Sequence, residues 1–432
     1  MTTDTLITGA RILDPAHGRD ETADLLITDG VIAQIGAGIT PPDGARTIDA
    51  SGLSIAPAFV EIHAHLREPG GEASETIATA ARAAAKGGYA HVFGMPNTSP
   101  VCDSVMGVRY VLDRAREAGS VHVHPVGSVT TGMKGETLTD FHALLEAGAG
   151  ALSDDGLPVA DAGMMRLALQ CAADLGCVIL DHCEDMSLTG DGVMHDGPHA
   201  RALGLPGIPR SSEATIALRD GLLALETGGR LHVCHVSTVD TVEAVRWLKS
   251  RGAPVTAEVS PHHLTLTDER VGDFDTHAKM KPPLCEEHDR LALIEALEDG
   301  TIDCIATDHA PHAPGLKARM FDAAPFGIIG METAFAVCHT AFVETGRWSL
   351  SFLLEKLTVA PARIVGRPWG TLAEGGPADL VVLDTAERFT MTESHLGSAS
   401  VNCPWLGERL VGRPVATVIE GVVAHDEGVF AN

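Results

Sequence analysis

Phe59-Val60-Glu61-Ile62-His63-Ala64-His65-Leu66-Arg67 is the stretch on which the reading of this 432-residue chain turns. Its apolar, β-branched first half has the make-up of a short buried strand. Residues two apart on a strand share a face, so His63, His65 and Arg67 point the same way at its C-terminal end. Two imidazoles so placed can bind one metal ion, or they can be two hydrogen-bonded histidines at a loop edge. The pair alone does not choose between these.

Outward from it, further short runs rich in β-branched residues follow at 89–93, 121–126, 149–153, 177–181, 230–235, 254–258 and 302–307. Alanine- and leucine-rich stretches with helical spacing lie between them, at 74–86, 104–118, 163–175, 213–227, 239–249 and 287–298. Several are followed by the glycine that commonly succeeds a helix C-terminus. Such alternation builds a parallel sheet. Eight units predict a TIM-like (β/α)8 barrel rather than an open doubly wound sheet, and no G-x-G-x-x-G follows the first strand. The flanks differ: 4–56 and 377–426 hold short strands and turns, clearest at 6–12, 25–28, 31–35, 379–383 and 415–420. This α/β chain is therefore expected to divide into a barrel over 57–365 and a small β-sandwich assembled by residues 1–56 and 366–432 together. Insertions at 183–212 and 309–331 fall on the catalytic face of such a barrel, where long loops are usually functional.

Thirty-one basic against 58 acidic residues give a formal charge of −27 and a pI near 5.1, a field that repels nucleic-acid backbones and anionic headgroups. A 45% hydrophobic, 21% charged composition belongs to a folded protein, and no apolar run reaches the roughly 18 residues a bilayer span needs. The opening residues lack the basic-then-apolar order of a secretory signal, so a cytoplasmic protein without nucleic-acid or membrane partners is expected. Nine scattered cysteines without a C-x-x-C pair imply neither a disulfide frame nor a cysteine zinc site. Histidine is the anomaly, at 21 copies, and its positions carry the chemistry.

His182 ends strand five, His235 ends strand six and Asp308 ends strand eight, while Ser153-Asp154-Asp155-Gly156 follows strand four. Together with His63 and His65 they bring five strand ends to one barrel mouth. Imidazole and carboxylate without thiolate suit zinc or a related divalent ion, and four histidines with two aspartates suffice for one or two ions. This recurrence favours metal binding for the first pair too, because buried ionisable groups need partners. His232, His262, His263 and His309 read as hydrogen-bonding residues and Cys183 and Cys234 as small apolar fillers. His91, His122 and His124 read as structural.

The segments His63-Ala64-His65-Leu66-Arg67-Glu68-Pro69-Gly70, Gly94-Met95-Pro96-Asn97-Thr98, Ser153-Asp154-Asp155-Gly156, Asp181-His182-Cys183-Glu184-Asp185, His235-Val236-Ser237-Thr238, Pro261-His262-His263-Leu264 and Thr307-Asp308-His309-Ala310-Pro311-His312 resemble the class I dihydroorotases of the amidohydrolase superfamily. The similarity extends to Asn402-Cys403-Pro404. The resemblance implies reversible cyclisation of N-carbamoyl-L-aspartate to L-dihydroorotate in pyrimidine synthesis. It implies zinc, with His63, His65 and Asp308 at a first position and His182 and His235 at a second. Asp155, beside the glycine, is selected over Asp154 as the residue between them. Asp308 would accept a proton from the attacking water and pass it to the departing ring nitrogen. Arg67, a planar permanent cation, would grip the substrate carboxylate, with Asn97, Lys281 and His312 completing the pocket.

Hydantoinases, dihydropyrimidinases and allantoinases of the same superfamily generally bridge their metals with a carbamylated lysine after strand four. This chain has seven lysines and none between Lys134 and Lys249, so an aspartate must serve. One departure from the family lies in Lys281-Pro282-Pro283-Leu284-Cys285, where N-P-P-L-R is usual. Lys281 either makes an ionic contact in place of an amide one or points to solvent. The alternatives are another cyclic amidase, acting on a hydantoin or allantoin, and a non-catalytic homologue that partners aspartate transcarbamoylase. A homo-oligomer is compatible with any of these.

Overall fold

A computed structural model describes residues 4–431. The chain opens with β1 (Thr5–Asp14), β2 (Arg19–Thr28), β3 (Val31–Gly36), β4 (Arg46–Asp49) and β5 (Ser54–Pro57). It then enters β6 (Phe59–Ala64), β7 (Tyr89–Gly94), β8 (His122–Gly127), β9 (Ala151–Ser153) and β10 (Val178–Asp181). The insertion after β10 carries two short helices, Met186–Thr189 and Pro198–Leu203, and a two-residue ladder, β11 (Met194–His195) with β12 (Gly207–Ile208). The series resumes with β13 (Arg230–Val233), β14 (Val255–Val259) and β15 (Cys304–Ile305), so every run read as a barrel strand overlaps one. These eight strands pair in parallel in chain order. A parallel bridge between Ala64 and His309 joins the two edges, and the His65 N–H donates to the His309 carbonyl at 2.8 Å. Buried Glu61 ties the same seam, accepting from the backbone N–H of His63 at 2.8 Å and of Thr307 at 2.9 Å.

The helices between the strands start where short polar side chains can satisfy free N–H groups. Ser104 accepts from Gly107 N–H ahead of Val105–Ala118, and Thr76 with Thr79 forms a capping box ahead of Ile77–Lys86. The first of these helices stops at Gly119, whose φ of 67° suits a residue without a Cβ. Its buried face, Val108, Val111 and Ala115, joins the large apolar cluster that includes Phe59, Tyr89 and Phe335. Phe59 meets Tyr89 edge-on at 5.4 Å and stacks on Phe335 at 5.8 Å. Truncating so buried a ring to alanine costs about 3–5 kcal/mol. A second cluster draws Val60, Ile62, Phe93, Val126, Ala151, Leu180 and Ala306 from around the barrel and closes on Ala362 and Ile364 of the helix Val359–Ile364.

The last strands are β16 (Leu380–Thr390), β17 (Arg409–Ile419) and β18 (Val422–Asp426). β16 pairs antiparallel with β5, from Leu380 opposite Pro57 to Leu383 opposite Ser54, so both chain ends enter one continuous eight-stranded sheet. Its own core holds Ile7, Ile12, Leu25, Ile55, Leu380, Val382 and Val418. Lys279, Lys317 and Asn402 are among the side chains that pin the insertion 309–331. Lys279 Nζ donates to the carbonyls of Phe321, Asp322 and Ala324, and Lys317 Nζ to those of Thr276, Lys279 and Pro325. Asn402 donates to Ala310 and Gly327 carbonyls and accepts from His312 N–H. Among the described residues, no helix is long and apolar enough to cross a membrane.

Candidate active site

The C-terminal ends of the parallel strands bring together all six residues read as metal ligands. They are nearly inaccessible: His63 0%, His65 7%, Asp155 2%, His182 4%, His235 2% and Asp308 2% exposed. Asp155 is central. Its Oδ1 lies 3.3 Å from His63 Nε2, 3.5 Å from His182 Nδ1 and 3.4 Å from His235 Nε2, and its Oδ2 is 3.4 Å from His65 Nε2. Asp308 Oδ1 lies 3.1 Å from His65 Nε2 and 3.6 Å from His63 Nε2. The neighbouring Asp154 turns away and accepts from the Thr130 N–H at 3.0 Å and the Thr130 hydroxyl. Three positions here, Arg67 (φ 61°), His235 (φ 37°) and Asp308 (φ 46°), hold left-handed backbone that non-glycine residues seldom adopt, as is common where side chains are aimed for function.

Two combinations, His63 with His65 and Asp308, and His63 with Asp155 and His235, each place three ligand atoms within 4.8 Å of one another. The donor chemistry fits a divalent cation. His63 Nε2 and Asp155 Oδ1 are buried without a hydrogen-bond partner, a costly state unless something else binds them. The outer nitrogens are already engaged: His63 Nδ1 with Glu258 at 2.6 Å, His65 Nδ1 with Asn97 Oδ1 at 3.0 Å and His182 Nε2 with Glu184 at 3.0 Å. Each such bond leaves the inward-facing nitrogen with its lone pair towards the centre.

A cavity of about 310 Å³ opens beside this cluster, lined in part by Arg67, Asn97, Lys281, Asp308, His312 and Phe326. Arg67 donates through Nε to the Pro311 carbonyl at 3.1 Å, and burial brings its guanidinium down to about 10, so it stays charged at neutral pH. His312 donates to the Phe326 carbonyl at 2.6 Å; burial and adjacent Arg67 push its imidazole down to about 3, so it is neutral. Asn97 shares its carbonyl oxygen with His65 and so sits behind a ligand as well as on the cavity wall. Lys281 lines the cavity while its Nζ pairs with Glu184 Oε1 at 2.9 Å. Lys281 therefore stands at the cavity wall and not in solvent, held by a carboxylate partner.

Glu61, Glu184, Glu258 and Asn402 orient the cluster and its loop; Glu184 and Asn402 lie in segments that carry the family resemblance, but the sequence gives none of the four a role. The signal for Glu61 and Glu258 was a lone acid inside an apolar strand, a placement that is rare unless the acid is partnered. The residues kept apart from the centre do make hydrogen bonds: His309 Nδ1 accepts from Gly330 N–H, and His262 and His263 share the Ser260 hydroxyl. His91, His124 and Trp369 stack on one another away from it.

Family models described as "Dihydro-orotase-like" and "Amidohydrolase family" match residues 52–241 and 223–425. A dihydroorotase of Anaeromyxobacter dehalogenans is 48% identical over 98% of both chains, and one of Pelotomaculum thermopropionicum is 46% identical over 98% of this chain and 99% of its own. Among solved structures, the L-hydantoinase (dihydropyrimidinase) of Arthrobacter aurescens superposes with a TM-score of 0.87 at 26% identity, covering 99% of this chain and 97% of that one. The strand order, the converging histidines and aspartates, and near-full-length identity agree: the chain belongs to the dihydroorotase family of amidohydrolases.

Proposed function

We propose that this protein interconverts N-carbamoyl-L-aspartate and L-dihydroorotate, as in pyrimidine synthesis, with zinc as its metal. The observation that carries the reading is the meeting of His63, His65, His182, His235 and Asp308 around Asp155, beside a cavity that Arg67 enters. His63, His65 and Asp308 would hold one ion, and His182 and His235 a second, with Asp155 between them. Bound zinc would supply Lewis acidity, lowering the pKa of water and polarising the carbonyl under attack.

The chain's own groups then do the following. In hydrolysis, water adds across the ring amide bond, its oxygen to carbon and a proton to nitrogen. Asp308 takes the proton from the attacking water and gives it to the departing nitrogen; in ring closure it takes that proton back. Arg67 grips the substrate carboxylate with paired N–H donors, and the uncommitted Asn97 amide, the Lys281 ammonium and neutral His312 complete the pocket.

A hydantoinase reading gains support from the solved-structure likeness, but the bridging lysine expected of that subfamily has no counterpart after β9, where Asp154 and Asp155 stand. The deciding experiment measures dihydroorotate and hydantoin turnover on protein of known zinc content. Turnover of dihydroorotate without hydantoin is expected, and the reverse overturns the proposal. We further propose a cytoplasmic enzyme with a barrel over 57–365 and a second unit from 1–56 and 366–432. Its charge of −27 disfavours nucleic-acid and anionic membrane partners. Association with aspartate transcarbamoylase, or with further copies of itself, is testable by mixing and sedimentation.

A further inference from the structure

We propose that Glu258, on β14, is the positioning residue that presents both His63 and His235 to the metal; the inference rests on the metal-centre reading above. Glu258 is 1% exposed and gathers three donors from two other strands and the turn that follows one of them. Its Oε1 accepts from His63 Nδ1 at 2.6 Å and from the backbone N–H of His235 at 3.3 Å. Its Oε2 lies 3.0 Å from His232 Nε2, and His232 Nδ1 is 2.8 Å from the Thr256 hydroxyl. A single carboxylate thus stitches β6, β13 and β14 beneath the barrel mouth.

The tautomer is the chemical consequence. A neutral imidazole carries one N–H, and Glu258 holds that proton on Nδ1. The Nε2 lone pair of His63 is left bare, and this is the buried atom without a hydrogen-bond partner that faces Asp155 and Asp308. The second contact acts on geometry: it anchors the backbone of His235, which holds a φ of 37°. Glu258 therefore touches one ligand of each proposed metal position without facing the cavity. Three N–H donors offset the cost of burying its charge, so the fold tolerates the acid there.

The test uses full-length wild type, Glu258→Gln and Glu258→Leu, each stripped by a chelator and titrated with zinc against a chromophoric competitor. The thermal midpoint of each stripped protein is recorded alongside. Zinc affinity should fall about tenfold in the Gln variant and about 100-fold in the Leu variant. Stripped Glu258→Gln should melt close to wild type, and its turnover should recover at saturating zinc. Equal zinc affinity in wild type and Glu258→Gln overturns the inference, as does a loss that merely tracks lost stability of the stripped protein. Wild type that binds no zinc at all would instead remove the metal-centre reading itself.

Discussion

Asp155 and Asp289 are both buried carboxylates beside imidazoles, 2% and 0% exposed, yet their surroundings differ in one respect. Asp289 receives a cation from its own chain. Arg210 Nη2 lies 3.0 Å from Asp289 Oδ2, 2.7 Å from Glu286 Oε2 and 3.4 Å from His195 Nε2, while Val239 N–H donates to the other Asp289 oxygen. His195, Cys285 and Asp289 are also close enough to share a metal, but the guanidinium already stands where a cation would be needed. No arginine or lysine forms an ion pair with Asp155 or Asp308 among the described residues; the groups within ion-pair distance of them are imidazoles. Proximity of ligand-type residues is therefore weak evidence of a metal centre. Buried negative charge without a built-in counter-ion is stronger evidence, because such charge demands a partner.

The largest effect expected on this contrast comes from Asp308→Asn. It should reduce turnover of dihydroorotate by about 10²–10⁴-fold with the fold intact by circular dichroism, and near-normal rates would remove its proton-transfer role. Arg210→Met should cost about 2–3 kcal/mol in denaturant unfolding, somewhat less than for a fully buried pair because Arg210 is partly exposed, with kcat of the folded enzyme unchanged. Stability equal to wild type would break the comparison. Arg67→Ala sharpens it: Arg67 is a permanent cation on the wall of the cavity beside the centre, and its loss should lower kcat/KM about 10–100-fold without comparable destabilisation. Severe unfolding instead would mean that Arg67, not metal, neutralises the aspartates.

The smallest effect concerns the insertion 309–331. Burial lowers the ammonium groups of Lys317 and Lys279 to about 7 and about 8. Between those values and the ordinary lysine range near 10.5, the unfolded chain binds more protons than the folded one. Stability contributed by these lysines therefore rises with pH across that window, and their full burial penalty applies below about pH 7. Proteolytic nicking of 309–331 should slow modestly from pH 6 to pH 9, and faster nicking at the higher pH would contradict the assignment.

Much of this was legible in the sequence for physical reasons. The barrel strands were, because continuous β-branched runs bounded by helical stretches have few other readings; β4 and β5 were not, being four residues each with Asp49 or Pro57 at the end. The helices Phe141–Ala147 and Leu350–Leu357 also escaped, too short for a clear period. The candidate ligands were visible because each lies at or just beyond a strand end. Their supports were not: Glu258 and His63 lie 195 positions apart, and nothing local in either segment records the hydrogen bond that joins them. For Lys281 the sequence offered substrate or solvent, and its ion pair with Glu184 at the cavity wall was not legible because the two are distant in the chain.

The pairing of β5 with β16 constrains how the protein is made. During synthesis the strand that flanks β5 emerges only after the entire barrel has been translated, so the N-terminal strands must wait with an exposed edge. Contacts of such long range slow folding, and a nascent chain stalled before residue 380 should be a ready client for chaperones.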